Sequence, residues 1–334
     1  LATPFFAGCI APEADSEEVD EEEVESSEDA LTPFQWSTPA SITTLSSDNA
    51  VALGSYVGGV HLVHTGGTGT NLYHTVYNGT SWSTTTQIPN QKSKNRPALA
   101  AMGPKGSSLL HMVHQGETSD SLWWSTFNGS TWTTNSQIGM SSTQAPVMAT
   151  WGAGLHLFGT NTHTTCSGSL SSGYSCSSSD FLWESTYNGT TWSPPQEIVT
   201  SANSKINGAA GASVAVYNGV PILVVRRASN DLWMYTQQGG VWSAGSKIVG
   251  QKSQSAPTLA SYGGYLHMSH LGDSSNSVWW SYYDGASWTA NVTIPSTTSQ
   301  WATAMAPMST KLVQAFRMNC DGVCNRMVEF QTFQ

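Results

Sequence analysis

The stretch STFNGSTW, residues 125–132, recurs along the chain. TVYNGTSW precedes it at 75–82, STYNGTTW follows at 185–192 and SYYDGASW at 281–288, with YTQQGGVW at 235–242 as a decayed copy. Internal repeats decide architecture before single residues do. The tryptophan that ends the phrase sets the count. Trp36, Trp82, Trp132, Trp192, Trp242 and Trp288 lie 46, 50, 60, 50 and 46 residues apart, and 46 residues follow the last. Each opens W-S/T-x-x-x-x-I, from WSTPASI at 36–42 to WTANVTI at 288–294. A serine stands about eleven residues on (Ser46, Ser93, Ser142, Ser204, Ser253, Ser299), and four positions after it three copies carry Pro97, Pro146 or Pro257.

Within one unit, PALAAM (97–102), LLHMVH (109–114), LWWSTF (122–127) and TWTTNSQI (131–138) read as four strands. Four strands per repeat of about 50 residues is the pattern of a propeller blade. The small first strand suits the crowded axis, and the aromatic later strands suit the widening gaps between blades. Asn-Gly or Asp-Gly between strands three and four favours a tight hairpin in which both turn residues take positive φ. The Trp that follows is expected to pack beside the next blade. Asn78, Asn128, Asn188 and Asn291 all sit in N-x-S/T sequons, but the first three are the turn itself, so turn chemistry accounts for them. The chain enters at Trp36 in a fourth strand and leaves at MVEFQTF (327–333) in a third. The sequence therefore predicts an all-β, six-bladed β-propeller of four-stranded antiparallel blades over 34–334, its last blade combining 298–334 with 34–41.

Residues 1–33 stand apart. Positions 13–29 hold eleven of the 22 carboxylates and no Lys or Arg, whereas from residue 35 onward eleven carboxylates meet twelve Lys and Arg. The folded part is near neutral, and nothing is basic enough to suggest nucleic acid. FFAGC, ending at Cys9, resembles the end of a bacterial lipoprotein signal, with Phe6 where an aliphatic residue is usual. It predicts a lipid anchor on Cys9, an acidic linker, and a place outside the cell or on its surface, such as an outer-membrane lipoprotein. No apolar stretch is long enough to span a bilayer, so any membrane contact is through that anchor. Cys166 with Cys176, and Cys320 with Cys324, each fit a local disulfide in an oxidising compartment. The Cys-x3-Cys spacing has no second close Cys/His pair, and an H-x-x-H pair on a strand points its rings to opposite faces. No metal site and no cofactor is expected.

Two columns carry the candidate chemistry. The second strands end at His64, His114, Gly159, Arg226, His270 and Arg317. The third strands begin with Tyr73, Trp123, Trp183, Trp233, Trp279 and Val328, followed by His74, Trp124, Glu184, Met234, Trp280 and Glu329. A pyranose offers an apolar C–H face to a ring and hydroxyls to His, Arg or Glu. Aromatics between blades also serve as core, so both roles stand open for each Trp. In a four-stranded blade the second-to-third and fourth-to-first loops share one face, and the longest insertion (161–180) lies in such a loop.

Units such as LHMVHQG…LWWSTFNGSTW…QI, over residues 35–334, resemble the repeats of bacterial propeller lectins of the Photorhabdus lectin type and of sialidase-like propeller proteins. The first resemblance implies a multivalent glycan-binding protein, often for fucosylated or methylated sugars. Six units where those lectins commonly have seven, and His where Arg is frequent, leave the sugar open. The second rests on S-x-D-x-G-x-x-W, with Phe127 or Tyr where Asp belongs, and implies a glycosidase. That activity needs an Arg cluster and paired acids. Only Arg96, Arg226, Arg227, Arg317 and Arg326 exist, and the carboxylates of the domain are scattered. A surface propeller that binds protein is the third reading.

Overall fold

A computed structural model describes residues 35–334 apart from 105, 170–172, 208–210 and 320–325. Cys9, the acidic segment and the Cys320–Cys324 pair lie outside the described residues. Among the described residues every regular element is a β-strand. Blade 1 is β2 (Ala52–Tyr56), β3 (Gly59–Thr65), β4 (Asn71–Tyr77) and β5 (Thr86–Lys92). Blade 2 is β6 (Ala98–Met102), β7 (Leu109–Gln115), β8 (Ser121–Phe127) and β9 (Ser136–Ser141). Blade 3 is β10 (Val147–Trp151), β11 (Gly154–Ser169), β12 (Gly173–Tyr187) and a short β13 (Gln196–Glu197). Blade 4 is β14 (Ala212–Tyr217), β15 (Val220–Arg226), β16 (Asp231–Gln238), a two-residue β17 (Val241–Trp242) and β18 (Ser246–Lys252). Blade 5 is β19 (Thr258–Tyr262), β20 (Tyr265–Leu271), β21 (Ser277–Tyr283) and β22 (Val292–Thr298). Blade 6 is β23 (Ala304–Pro307), β24 (Leu312–Arg317) and β25 (Met327–Phe333), closed by β1 (Ala40–Ser46). The chain is a six-bladed propeller of antiparallel blades, and its N-terminal strand completes the last one.

The inner strands pack in a ring, β2 on β6, β10, β14, β19, β23 and back to β2. Small residues such as Ala52, Gly54, Ala98 and Ala304 let them approach. They enclose a central cavity of about 420 Å³ whose one charged lining residue among those described is Arg96.

The repeated phrase builds the outer half of each blade, though not through the turn expected. Asn128 keeps negative φ, and only Gly129 is left-handed, at 98°. The four residues 128–131 form the loop, and Asn128 Oδ1 accepts the Ser130 and Thr131 N–H groups at 2.9 Å each. Asn78, Asn188 and Asp284 do the same. The side chain is chosen as an acceptor that caps the turn, not for its tolerance of positive φ. Where the phrase has Tyr before Asn or Asp, its hydroxyl donates to the turn glycine's carbonyl, as Tyr77 does to Gly79 at 2.9 Å. The Ser or Thr after each anchor Trp has a fixed task. In all six blades its hydroxyl accepts a backbone N–H of the third strand, from Thr332→Ser37 at 3.0 Å to Tyr282→Thr289 at 3.0 Å. In five blades the anchor Trp makes only an isolated bridge to the third strand (Trp242 lies in the two-residue β17), and the fourth strand starts four residues after the anchor, at Ser136 rather than Thr131 in blade 2. The isoleucine six residues on is buried in five blades and half-buried (Ile138) in the other. The buried serine of blade 6 is Ser47, not Ser46: its hydroxyl donates to Asn49 O at 2.8 Å, as Ser93, Ser142, Ser253 and Ser299 donate two residues on. Ser204, in blade 3, is exposed and leaves the pattern. The insertion of blade 3 is no loop, for β11 and β12 pair without interruption from Leu155↔Tyr187 to Ser169↔Gly173, with Cys166 bonded to Cys176 across the ladder.

Each anchor Trp meets the preceding blade, not the next. The residue it meets is always the one after the Tyr73 place of the third strand, which Glu329 fills in blade 6. Trp132 Nε1–H donates to His74 Nδ1 at 3.3 Å, Trp242 to Glu184 Oε2 at 3.1 Å, and Trp288 to Met234 Sδ at 3.4 Å. Trp82, Trp192 and Trp36 instead meet Phe330, Trp124 and Trp280 edge-on, at interplanar angles of 80°, 86° and 86°. Those three indole N–H groups have no hydrogen-bond partner among the described residues. The seam thus takes an acceptor or a ring face at one position.

Asn128→Ala removes one acceptor for two N–H groups and is expected to lower unfolding stability by about 1–2 kcal/mol, measured by urea titration. Asn128→Asp is expected to cost less, since Asp284 caps the same loop in blade 5. Equal losses for the two variants contradict the capping account.

Candidate functional site

The two histidines of the H-x-x-H strands part ways, as their spacing requires. His61, His111 and His267 enter the seams. Trp124 and Trp280 donate their indole N–H to His111 and His267 Nδ1, at 3.1 and 3.2 Å. In blade 1 a chain of three groups forms: Trp132 Nε1–H to His74, and His74 Nε2–H to His61 Nδ1 at 2.9 Å. Every ring in these chains must be neutral, because an imidazolium has no lone pair to accept with. Burial enforces that by lowering His61, His111 and His267 to about 4 and His74 to about 3, the last also under the influence of His61.

The second histidines, His64, His114 and His270, lie on the other face of their strands, near the second-to-third loops; His64 and Tyr73 line a cleft between blades 6 and 1, while Trp279 and Asn291 line one between blades 4 and 5. Each donates Nδ1–H to the carbonyl of the next residue, Thr65, Gln115 or Leu271, at 2.6, 2.8 and 2.7 Å. That bond fixes the tautomer and leaves Nε2 as an acceptor. Burial also lowers these three, His64 to about 4. Directly opposite in the ladder stand Tyr73, Trp123 and Trp279. A glycine follows two residues after each His, and a Cβ at Gly272 would lie 3.1 Å from the Trp279 indole nitrogen. The cleft between blades 4 and 5 has a volume of about 620 Å³ and that between blades 6 and 1 about 390 Å³.

The strand ladder corrects the polar column in two blades. Trp233 pairs with Val225, and Glu329, which holds the Tyr73 place, pairs with Phe316. Arg226 and Arg317 lie one residue further, opposite Leu232 and Val328, and so point to the other face of their strands. Arg317 donates to the Asp48 carbonyl at 2.6 Å and Arg226 to Asn230 Oδ1. Arg227 covers the Trp233 ring at 3.7 Å, and Trp233 presents that face to the guanidinium rather than to a cleft. In blade 3 the Trp183 ring folds over Gly159, where a side chain would collide with it, and Trp183 is 1% exposed. Val328 is buried core, and burial raises Glu329, which Ser41 partly offsets by a hydrogen bond. Glu184 sits in a seam with both oxygens engaged, by His156 Nδ1–H at 2.7 Å and by Trp242. Of the residues singled out from the sequence, the structure brings together His64 with Tyr73, His114 with Trp123, and His270 with Trp279.

Sequence reading missed the third residue after the anchor Trp. Asn135 Nδ2–H donates to His114 Nε2 at 3.2 Å. Asn291 Oδ1 lies 3.2 Å from His270 Nε2; a neutral ring that gives Nδ1–H to Leu271 has no hydrogen left at Nε2, so we assign the amide the other way round, with its N–H toward the ring. The signal was present in the alignment, since Asn occupies this place only in the two blades that pair His with Trp.

No protein-family model matches this chain, and no curated protein does. Solved structures do. The fucose-specific lectin from Aleuria aurantia is 12% identical, with 85% of this chain and 93% of that one covered at a TM-score of 0.53. SapL1 lectin in complex with α-methyl fucoside is 11% identical over 83% and 90%, at 0.53. A Hadza microbial sialidase is 11% identical over 85% of this chain and 65% of that one, at 0.57. At such identities the likeness establishes the propeller fold.

An unfolded histidine titrates near 6.5, and these buried ones titrate well below it. Between the two values the unfolded chain binds more protons, so stability is full above pH 6.5 and falls as the pH drops toward 4, by up to about 1.4 kcal/mol per pH unit for each ring. The thermal midpoint is expected to fall steeply from pH 6.5 to 4.5, above the range where most carboxylates titrate. A midpoint that stays level over that interval contradicts the neutral-histidine seams.

Proposed function

We propose that this protein is a multivalent carbohydrate-binding propeller. One observation carries the reading: three blades set an aromatic ring opposite a neutral imidazole at the same register, and the rings of two of them, Tyr73 and Trp279, line interblade clefts. A ring face suits the C–H side of a pyranose, and imidazole Nε2 suits a hydroxyl. The fold supports it too, since the fucose-specific lectin from Aleuria aurantia and SapL1 lectin, in complex with α-methyl fucoside, are of like architecture. Fucosylated glycans are therefore the first ligands to try. The arginines do not gather as a carboxylate-binding trio: Arg317 and Arg326 turn to Asp48, Arg226 and Arg227 to Asn230 and Tyr235, and Arg96 to the channel. The Cys9 context and the acidic run after it support display on a tether at a cell surface.

A glycan array with residues 34–334 tests the proposal. Retention of neutral, fucose-bearing glycans is expected, with polyvalent conjugates bound about 10²–10⁴ times more tightly than the free monosaccharide. Trp123→Ala and Trp279→Ala are expected to weaken the polyvalent binding without unfolding the ring, because both side chains are half exposed. Turnover of a sialoside with no glycan retained contradicts the proposal.

A further inference from the structure

The three His–aromatic pairs share a plan but differ in what closes them. In blades 2 and 5 the acceptor nitrogen of the second histidine is already taken by Asn135 or Asn291. An ion pair also straps each of those blades to the one before it, Lys92–Glu117 at 3.0 Å and Lys252–Asp273 at 3.5 Å. The cleft between blades 6 and 1 lacks the Asn and that ion pair; there Arg326 of blade 6 donates to the Gly67 carbonyl and pairs with Asp48. Thr85 stands in the Asn place, and its hydroxyl, carried on Cβ, is one atom short of the amide it replaces. His64 is 3% exposed, yet its Nε2 has no hydrogen-bond partner among the described residues. Ser46 and Gly67 stand where the strap's Lys and acid belong, and no charged side chain lines the cavity of about 390 Å³. A buried acceptor left unpaired costs about 1–3 kcal/mol, and a hydroxyl that reaches Nε2 from the cavity His64 lines recovers this.

We infer that the cleft between blades 6 and 1 is the primary sugar site of the ring, where His64 Nε2 accepts a ligand hydroxyl while Tyr73 lines the apolar side, and that Asn135 and Asn291 act as latches that weaken the other two sites. The ligand class is an uncharged monosaccharide unit with a hydroxyl beside an apolar C–H face. This inference rests on the carbohydrate-binding reading and assigns unequal work within it.

Titration of α-methyl-L-fucoside by calorimetry, with the methyl glycosides of other neutral sugars in parallel, tests both. Thr85→Asn installs the latch that two sister blades tolerate and is expected to weaken the tightest component at least tenfold while the thermal midpoint holds. Asn135→Thr releases His114 and is expected to strengthen a second component. In a ¹⁵N-labelled sample the Nε2 resonance of His64 is expected to shift on adding the sugar. If no methyl glycoside binds, the carbohydrate reading falls with the inference. Binding that Thr85→Asn leaves unchanged, or a His64 resonance that stays put at saturation, overturns the inference alone.

Discussion

An indole closed against the preceding blade, six times around the ring, is the contact on which the rest of the structure depends. A single blade is a four-stranded sheet with two faces to bury and no core of its own. The anchor Trp joins one blade's third strand to its neighbour's face, while the hydroxyl after it ties the start of the outer segment to that same strand. The seam between blades 5 and 6 takes its anchor, Trp36, from the N-terminal segment, which is held on β25 through β1. Removing β1 would leave an open strand edge and an unfilled seam together.

The seam is constant in geometry and free in chemistry. At one register it meets imidazole, carboxylate, thioether and three aromatic rings. An indole presents both a ring and a single N–H, so an acceptor satisfies it one way and a ring face another. The clefts are less forgiving. Losing the second histidine to Gly159 lets Trp183 fall inward, and replacing it by Val225 leaves Trp233 to Arg227. Half of the blades thereby keep the fold and lose the cleft's polar group.

Much of this was legible in the sequence. Six anchors at near-equal spacing gave the blade count, and the chain's entry in a fourth strand gave the closure. The failures share a cause. Where a strand ends is not where its register is set. His64, His114 and His270 lie nine residues before their aromatic partners, but Val225 lies eight before Trp233 and Phe316 thirteen before Glu329. Aligning polar strand ends therefore slipped Arg226 and Arg317 by one place, and one place changes the face. The turn failed differently. Asn-Gly has two physical uses, positive φ and side-chain capping, and the longer loop that selects the second is visible only once Phe127 is seen to pair with Trp132. Asn135 and Asn291 stood out only in the alignment of the repeats, since 21 residues separate each from its partner, His114 or His270.

Fold and binding meet in the protonation state of the histidines. Packing blades around a ring takes seven imidazoles out of water, and that desolvation holds them neutral at physiological pH. A neutral ring has one donor and one acceptor. His61, His74 and His267 spend both on the seams or on neighbouring carbonyls, and His111 accepts from Trp124. The other three spend the donor on their own backbone and keep the acceptor on the side of their aromatic partners. The ligand they suit must therefore bring a hydrogen to donate and no charge to neutralise. Hydroxyl groups on a neutral sugar meet both conditions, and the aromatic ring across the ladder meets the remaining, apolar half of the same ligand.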